Sequence, residues 1–477
     1  MYIDQQPLIG AIDKPRKRHF SEGDSEDSEH WLPCKNILIV VHGYPPRYTG
    51  GAEQRAERTA RALVKRGFNV RVLCFEHYDN ERRDIYWADS IQNGVAIRRL
   101  SIGTNKDVTF PESYNNQEIG LAFEKQLQDW RPELVYFFSG YLMTASIVWV
   151  AKIYNLPVVI ALTDYWWLCH QINLINSHGD RCSGPGSLAC ARCLAETYRR
   201  FRLPAQYLSF SANWLWNTAK TTPLLQEVLG VQEQMQRLEF LKETLCLADK
   251  LISPSQYLAN LYIDHGIPST LLHVSRQGVD LASCPLRIPS STLRVGYLGQ
   301  IKPHKGVHLL LEAWGKLRGS RARQLTLYGT QHGDEHYGQV ITQSIAQLDH
   351  VQWAGSFVGS KVWDVLSALD VLVVPSRWVE NSPNIILEAQ ALGIPIVGTN
   401  LGGIAEMVRH EQNGLLFTVD DSDDLARQLQ RLLDEPTLLA SLQQKINPFI
   451  SKEDEIDDLI EQFATVVSPL SIALGVS

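Results

Sequence analysis

Apolar, β-branched runs alternate with amphipathic stretches over most of this chain, in two separate blocks. In the first, Asn36–Val41 (NILIVV), Asn69–Phe75, Val95–Ser101, Leu134–Phe138 and Val158–Thr163 are short apolar runs that read as buried strands. Ala52–Arg66, with Ala and Leu on one face and Arg on the other, predicts a helix between the first two. The second block offers strands at Leu293–Gly299, Gln324–Tyr328, Val351–Trp353, Val371–Val374 and Ile394–Val397, with a helix at Val307–Leu317. It closes in helices at Ser422–Glu435 and Pro436–Ile446. This alternation predicts an α/β fold of two Rossmann-like, doubly wound domains. Asn447-Pro448 breaks the pattern, and an amphipathic helix at Lys452–Val467 follows, long enough to cross back to the first domain. The expected division is a flexible tail over 1–33, domains over 34–280 and 281–450, and a C-terminal helix within 451–477.

One segment departs from the alternation. Residues 195–248 are continuously helical in pattern and begin with aromatic and basic side chains, among them Tyr198, Arg199, Arg200, Tyr207, Phe210 and Trp214. They read either as a helical layer on the first sheet or as a surface for lipid headgroups or an amphipathic acceptor. The tail pairs a basic patch with an acidic one and reads as a solvated lead-in, with an interaction segment as the other reading.

Length and composition narrow the class. At 477 residues the chain exceeds one typical core, and 44% hydrophobic with 20% charged residues is ordinary for a globular enzyme. The net charge of −7 argues against nucleic acid as a partner. With no membrane-spanning apolar run and a polar start, the expectation is a cytoplasmic protein, in contact at most peripherally with the inner face of the membrane. Four of the eight cysteines cluster: Cys169, Cys182, Cys190 and Cys193, at spacings x12, x7 and x2. They read as a structural zinc that staples a loop outside the chemistry, or as small buried core residues.

The most specific stretch is Val371–Glu406 (VLVVPSRWVENSPNIILEAQALGIPIVGTNLGGIAE). Its strand runs into the polar loop Ser376–Ser382. Ser382 is placed to N-cap a helix whose first residue is Pro383, and Gly393 with Pro395 ends that helix. In a parallel sheet, a free helix N-terminus facing the carboxyl end of a strand is where phosphorylated ligands sit. Glu388, more than one turn into the helix, would repel phosphate but accept hydrogen bonds from ribose hydroxyls. Glu380, in the loop, would face whatever lies beyond the phosphates. These positions suggest a sugar-nucleotide site; two solvated glutamates near a helix start are the plainer alternative.

Two further loops should converge on a cleft between the domains. His42–Glu53 (HGYPPRYTGGAE) sets Gly50 and Gly51 before a helix, so the backbone at Gly51 can approach a phosphate or sugar, although paired glycines also mark ordinary turns. Gly299–Gly306 (GQIKPHKG) carries Gln300 near its start and puts Lys305 at the entrance of the next helix, to meet a diphosphate or to stay solvated. Gly402-Gly403 opens another helix and offers further backbone N–H groups.

These residues resemble the retaining GT-B glycosyltransferases, specifically glycosyltransferase family 4, over nearly all of Lys35–Val467 and most closely over Leu293–Glu406. The likeness rests on Glu380 and Glu388 with seven residues between them, on the glycines after the first strand, and on the GQIKPHKG and LGGIAE segments. It implies a GT-B fold whose two Rossmann-like domains face a central cleft, with 34–280 on the acceptor side and 281–450 binding the nucleotide sugar. By position, Glu388 would hold the ribose, Glu380 the transferred sugar and Lys305 the diphosphate. Gln300 stands where the family usually has arginine, which would shift phosphate charge onto Lys305, with Lys302 or His304 as helpers. Thr163-Asp164 stands where many members have His-Asp, so Asp164 is either the acceptor-side group or a turn-forming aspartate. The implied activity is hexosyl transfer from a UDP- or GDP-sugar to a glycan, lipid-linked or small-molecule acceptor, with retention of configuration and without a metal or other required cofactor. Lys305 and the helix N-terminus at Asn384 would stabilise the departing diphosphate. A GT-B-fold epimerase or a phosphorylase fits the Glu380/Glu388 spacing less well. A non-catalytic nucleotide-sugar-binding protein is the remaining reading, with Gln300 and Thr163 as its hints.

Overall fold

The computed structural model describes residues 34–473, apart from 80, 82–83, 104–107, 183, 281–284, 286–289, 332–333, 357–360 and 447–449. The tail over 1–33, the expected start of the second domain at 281 and the break at Asn447-Pro448 therefore lie outside the described residues.

Two sheets organise the chain. The first contains Asn36–Val41 (β1), Asn69–Asp79 (β2), Ile85–Gln92 (β3), Val95–Gly103 (β4), Leu134–Phe137 (β5), Val158–Ala161 (β6), Lys250–Ser253 (β7) and Leu272–Val274 (β8), in the order β3-β4-β2-β1-β5-β6-β7-β8. The second contains Leu293–Leu298 (β9), Arg323–Tyr328 (β10), Val351–Gly355 (β11), Val371–Val374 (β12), Ile396–Thr399 (β13) and Gly414–Phe417 (β14), in the order β11-β10-β9-β12-β13-β14. All pairings are parallel except β3 with β4. The order reverses direction at β1 and at β9, so the crevice beyond the carboxyl ends of those strands is the expected ligand position in each domain.

The apolar runs are continuous because both faces of each sheet are covered. In β1, Ile37, Ile39 and Val41 enter one cluster while Leu38 and Val40 enter the other. In β12, Val371 and Val373 face one helical layer, and Leu372 and Val374 the opposite one. A polar residue at any of these positions would lose burial on one side and gain nothing on the other.

The structure adds four strands that the apolar pattern did not mark: β3, β7, β8 and β14. The last helix, Lys452–Ala473, follows the second sheet but packs on the first. Ile456, Leu459, Phe463 and Val466 join the cluster of Ile37 and Ile39, and Phe463 meets Tyr136 edge-on at 5.3 Å between ring centres. An ion pair, Arg55–Glu455 at 3.1 Å, and a hydrogen bond, His273 to Asp458 at 2.9 Å, fix it.

The helical segment divides in two. Val231–Leu247 packs on the first domain, where Trp149 stacks on Phe240 and its Nε1 donates to Thr244 Oγ1 at 2.8 Å. Before it, the helices Arg199–Tyr207 and Ser209–Ala219 leave Tyr207, Phe210 and Trp214 at 79%, 84% and 63% exposure, which no internal packing accounts for. Among the described residues, no helix is long and apolar enough to cross a membrane.

Candidate active site

The loop after β12 is held by hydrogen bonds that converge on one carboxylate oxygen. Glu380 Oε1 accepts from Lys305 Nζ at 2.7 Å, from Trp378 Nε1 at 2.6 Å and from Ser376 Oγ at 2.8 Å; Oε2 takes none of these bonds. Burial alone would raise the Glu380 pKa, but Lys305 and the Trp378 and Ser376 donors outweigh it and hold the group below the usual carboxylate range. Lys305 also lies over the Trp378 ring, its Nζ 4.6 Å from the centre. The residues expected at the diphosphate and at the sugar thus meet directly.

Two glycine positions make that meeting possible. Gly306 has φ 74°, and a Cβ there would lie 1.9 Å from Pro375 O, so the Lys305 loop can rest on the β12 loop only with glycine. Gly403 corrects an expectation. Its N–H, read as free for ligand, donates to Glu380 O at 2.7 Å, and a Cβ would fall 1.9 Å from Asn381 O. Gly402-Gly403 therefore seats the Glu380 backbone.

The following helix is Asn384–Ala391, one residue later than expected. Pro383, extended at ψ 117°, is its N-cap, and no side chain caps it. Ser382 does not serve as the cap, because its hydroxyl turns toward Met407 Sδ at 4.0 Å. The first-turn N–H groups are left without a side-chain partner, which suits an anion better than a capped helix would. Asn384 and Glu388 line a cavity of about 360 Å³ with Thr49 and Arg58 of the first domain and Lys452 of the last helix. Burial pushes the Glu388 carboxyl up to about 7, with Arg58 and Lys452 pulling the other way. The lining includes neither Glu380 nor Lys305, so the expected donor residues stand as two pairs.

Two other expected donor residues are more open. Gln300 is exposed and uncharged, and its carbonyl accepts from Tyr297 Oη at 2.7 Å. Gly51 has open space beside it, with no atom within 4 Å of a Cβ built there. His304 is a poor substitute for a missing arginine: burial first, then Lys305, push its pKa down to about 4, so it is neutral near pH 7.

Across the cleft, Asp164 follows β6. Its Oδ2 accepts from Ser139 Oγ at 2.8 Å and its Oδ1 from the Trp166 N–H at 2.8 Å, so it both forms a turn and holds a position near His42. Burial raises the Asp164 pKa despite His42 and these donors. His42 is the group that sequence reasoning passed over. It directly follows β1, its Nε2 lies 3.2 Å from Glu53 Oε1, and its buried Nδ1 has no hydrogen-bond partner among the described residues. Burial works to lower the His42 pKa, but the Glu53 hydrogen bond and the charges of Glu53 and Asp164 raise it overall. A histidine immediately after the first strand was the available signal. Two hydrogen bonds tie this side to the Glu380 loop: Tyr165 Oη donates to Val379 O at 3.2 Å, and Asn381 Nδ2 to Thr163 O at 3.2 Å.

The clustered cysteines lie apart from this chemistry. Cys169, Cys182, Cys190 and Cys193 are free thiols around one cavity, and among the described residues no three metal-binding side chains already meet at one point.

Residues 292–435 match the family model described as glycosyl transferases group 1, and residues 50–204 match that of the glycosyl transferase 4-like domain. Glycogen synthase of Mycobacterium tuberculosis is 30% identical over 84% of this chain and 86% of its own length. D-inositol 3-phosphate glycosyltransferase of Rhodococcus opacus is 29% identical over 34% of this chain. The chain spans 38% of that relative's length, and 42% of WcaL from Escherichia coli. In fold, the chain is similar to Anabaena HepE in complex with UDP and glucose, with a TM-score of 0.55 at 17% identity, covering 92% of this chain and 99% of that one. It is likewise similar to a glycosyltransferase from Rickettsia africae, with a TM-score of 0.60 at 14% identity, covering 91% and 99%. With one match in each domain and a relative aligned across most of its length, the chain belongs to the GT-B glycosyltransferases.

Proposed function

We propose that this protein transfers a hexosyl group from a UDP- or GDP-sugar to a glycan, lipid-linked or small-molecule acceptor, with retention of configuration. The observation that carries the reading is the Lys305–Glu380 pair placed near the uncapped helix at Asn384. HepE, a neighbour in fold, is described in complex with UDP and glucose. In this reading Glu388 and Asn384 hold the nucleoside and its phosphates. Lys305 and the helix N-terminus meet the negative charge that grows on the diphosphate as the glycosidic bond breaks. Glu380, fixed through Oε1, keeps Oε2 for hydroxyls of the transferred sugar. His42 and Asp164 face them from the acceptor side.

The test is release of free nucleotide from UDP-, GDP- and ADP-sugars in the presence of an acceptor extract, with the product anomer read by NMR. We expect release from a UDP- or GDP-sugar and a product of unchanged anomeric configuration. Donor binding without turnover under any pairing would instead support a non-catalytic binder, and an inverted product would remove retention.

A lipid-linked acceptor is favoured by the exposed aromatic surface. Tyr207, Phe210 and Trp214 stand out to solvent beside Arg199, Arg200 and Arg202, the combination that settles on anionic headgroups. Anionic vesicles should sediment the protein and neutral ones should not. Replacing Phe210 and Trp214 together by serine should weaken binding about tenfold or more, given ~1.5–3 kcal/mol for each large apolar side chain that is buried. Equal sedimentation by both variant and parent would sink this part of the reading.

A further inference from the structure

We propose that Cys169, Cys182, Cys190 and Cys193 bind one structural zinc ion, and that this ion fixes the long loop between β6 and the helical segment. Three features of the structure lead there. First, residues distant in sequence surround one cavity. Cys169 comes from the turn after β6, Cys182 follows the bridge between Ile175 and Arg181, and Cys190 and Cys193 lie one turn apart on the helix Ser187–Ala195. A helix sets side chains three apart on the same face, so the last two can serve one ion.

Second, the surrounding backbone favours sulfur acceptors. The Gly186 N–H donates to Cys190 Sγ at 3.4 Å. Such donors orient and stabilise metal-bound thiolates, as outer partners do at other metal sites. Cys182 Sγ donates to Gly184 O at 3.2 Å, a thiol bond that metal binding would replace.

Third, a buried positive charge lacks a carboxylate. Arg237 is 1% exposed, donates to Trp166 O at 2.5 Å and lies over the Trp166 ring. Its acidic neighbours are Cys169 and Cys190 with the phenols of Tyr114 and Tyr262, and no carboxylate pairs with it among the described residues. An unpaired guanidinium in the interior is costly. Four thiolates around Zn²⁺ carry a net charge of −2, which Arg237 would partly neutralise. Binding releases four protons from the thiols to water and changes no oxidation state. The thiols ring the cavity without already meeting at one point, so the ion must draw them together by side-chain rotation.

The full chain, grown with added zinc and purified under reducing conditions without chelator, should retain about one zinc per chain on dialysis, as a four-coordinate site requires. Alkylation followed by mass spectrometry should modify the exposed Cys246 while sparing the four cysteines, until a strong chelator is added. The double variant Cys190→Ser, Cys193→Ser should lose the zinc. Cobalt(II) added to the metal-free parent should give the sulfur-to-metal charge-transfer absorption of thiolate ligation. A parent chain that takes up neither ion, or whose four thiols alkylate alike with and without zinc, overturns the proposal. So does a reducing-agent-sensitive disulfide between any two of the four. The first two readouts need no variant, so misfolding of a substituted chain does not blur the result.

Discussion

Lys305→Ala is expected to lower kcat by about 100- to 1000-fold, the range seen when one preorganised donor to a developing anion is removed. Its ammonium has two possible partners: Glu380 in the structure, and the diphosphate of a bound donor. If catalysis depends on the second, a neutral side chain loses stabilisation that appears as the glycosidic bond breaks, so kcat falls more than donor affinity. If Lys305 merely neutralises Glu380, the double variant Lys305→Gln, Glu380→Gln should recover most of the rate, because it removes both charges together. We expect no recovery. Glu380 would then be contributing its own contacts through Oε2, and the double variant should be at least as slow as the slower single one.

The second large effect concerns pH. Glu388 is pushed up to about 7 by burial, while a ribose diol bonds most strongly to an ionised acceptor. A nucleotide sugar keeps its diphosphate charge across this range, so donor affinity should rise about tenfold between pH 6 and 8 as Glu388 ionises. Glu388→Gln should abolish that slope and weaken binding above pH 7 by roughly 10- to 100-fold, as expected for losing a charged hydrogen bond. Calorimetric titration of the intact nucleotide sugar at several pH values measures both. A parent chain with flat affinity over this range would mean that Glu388 does not hold the ribose. Stability carries the matching sign. The folded chain holds this proton above the usual value of 4.5, so the contribution of Glu388 to stability is complete below about that pH and is lost as the pH rises through about 7.

What the sequence disclosed followed from pattern. Both faces of the central strands are covered, so β1 and β12 had to be apolar throughout, and that is why both sheets were legible. The strands it did not disclose had other signals. β3 is an edge strand with half-exposed polar residues, so no apolar run marked it. The Asn93-Gly94 pair joining it to β4, both with positive φ, is a strong hairpin signal and was there to be read. At the site, spacing placed Glu380 and Glu388 on their loop and helix. It could not show that Glu380 would be clamped through a single oxygen by Lys305, Trp378 and Ser376, since those distances depend on the Gly306 and Gly403 contacts between separate loops. Ser382 followed a sound rule for helix caps and lost to the extended backbone of Pro383. His42 is held by Glu53 of its own domain, a side-chain contact between loop and helix, and Arg58 shares its cavity with Glu388 and Lys452 from distant segments; no local pattern encodes either.

The helix Lys452–Ala473 bears on how the protein is made. Its Ile456, Leu459 and Phe463 complete a core whose other side was synthesised first, with β1 some four hundred residues earlier. During vectorial synthesis the second domain can gather its own strands as they emerge, but the first must wait with part of one face uncovered beside the helix Gly51–Lys65. The amino-terminal domain is therefore the last to finish folding.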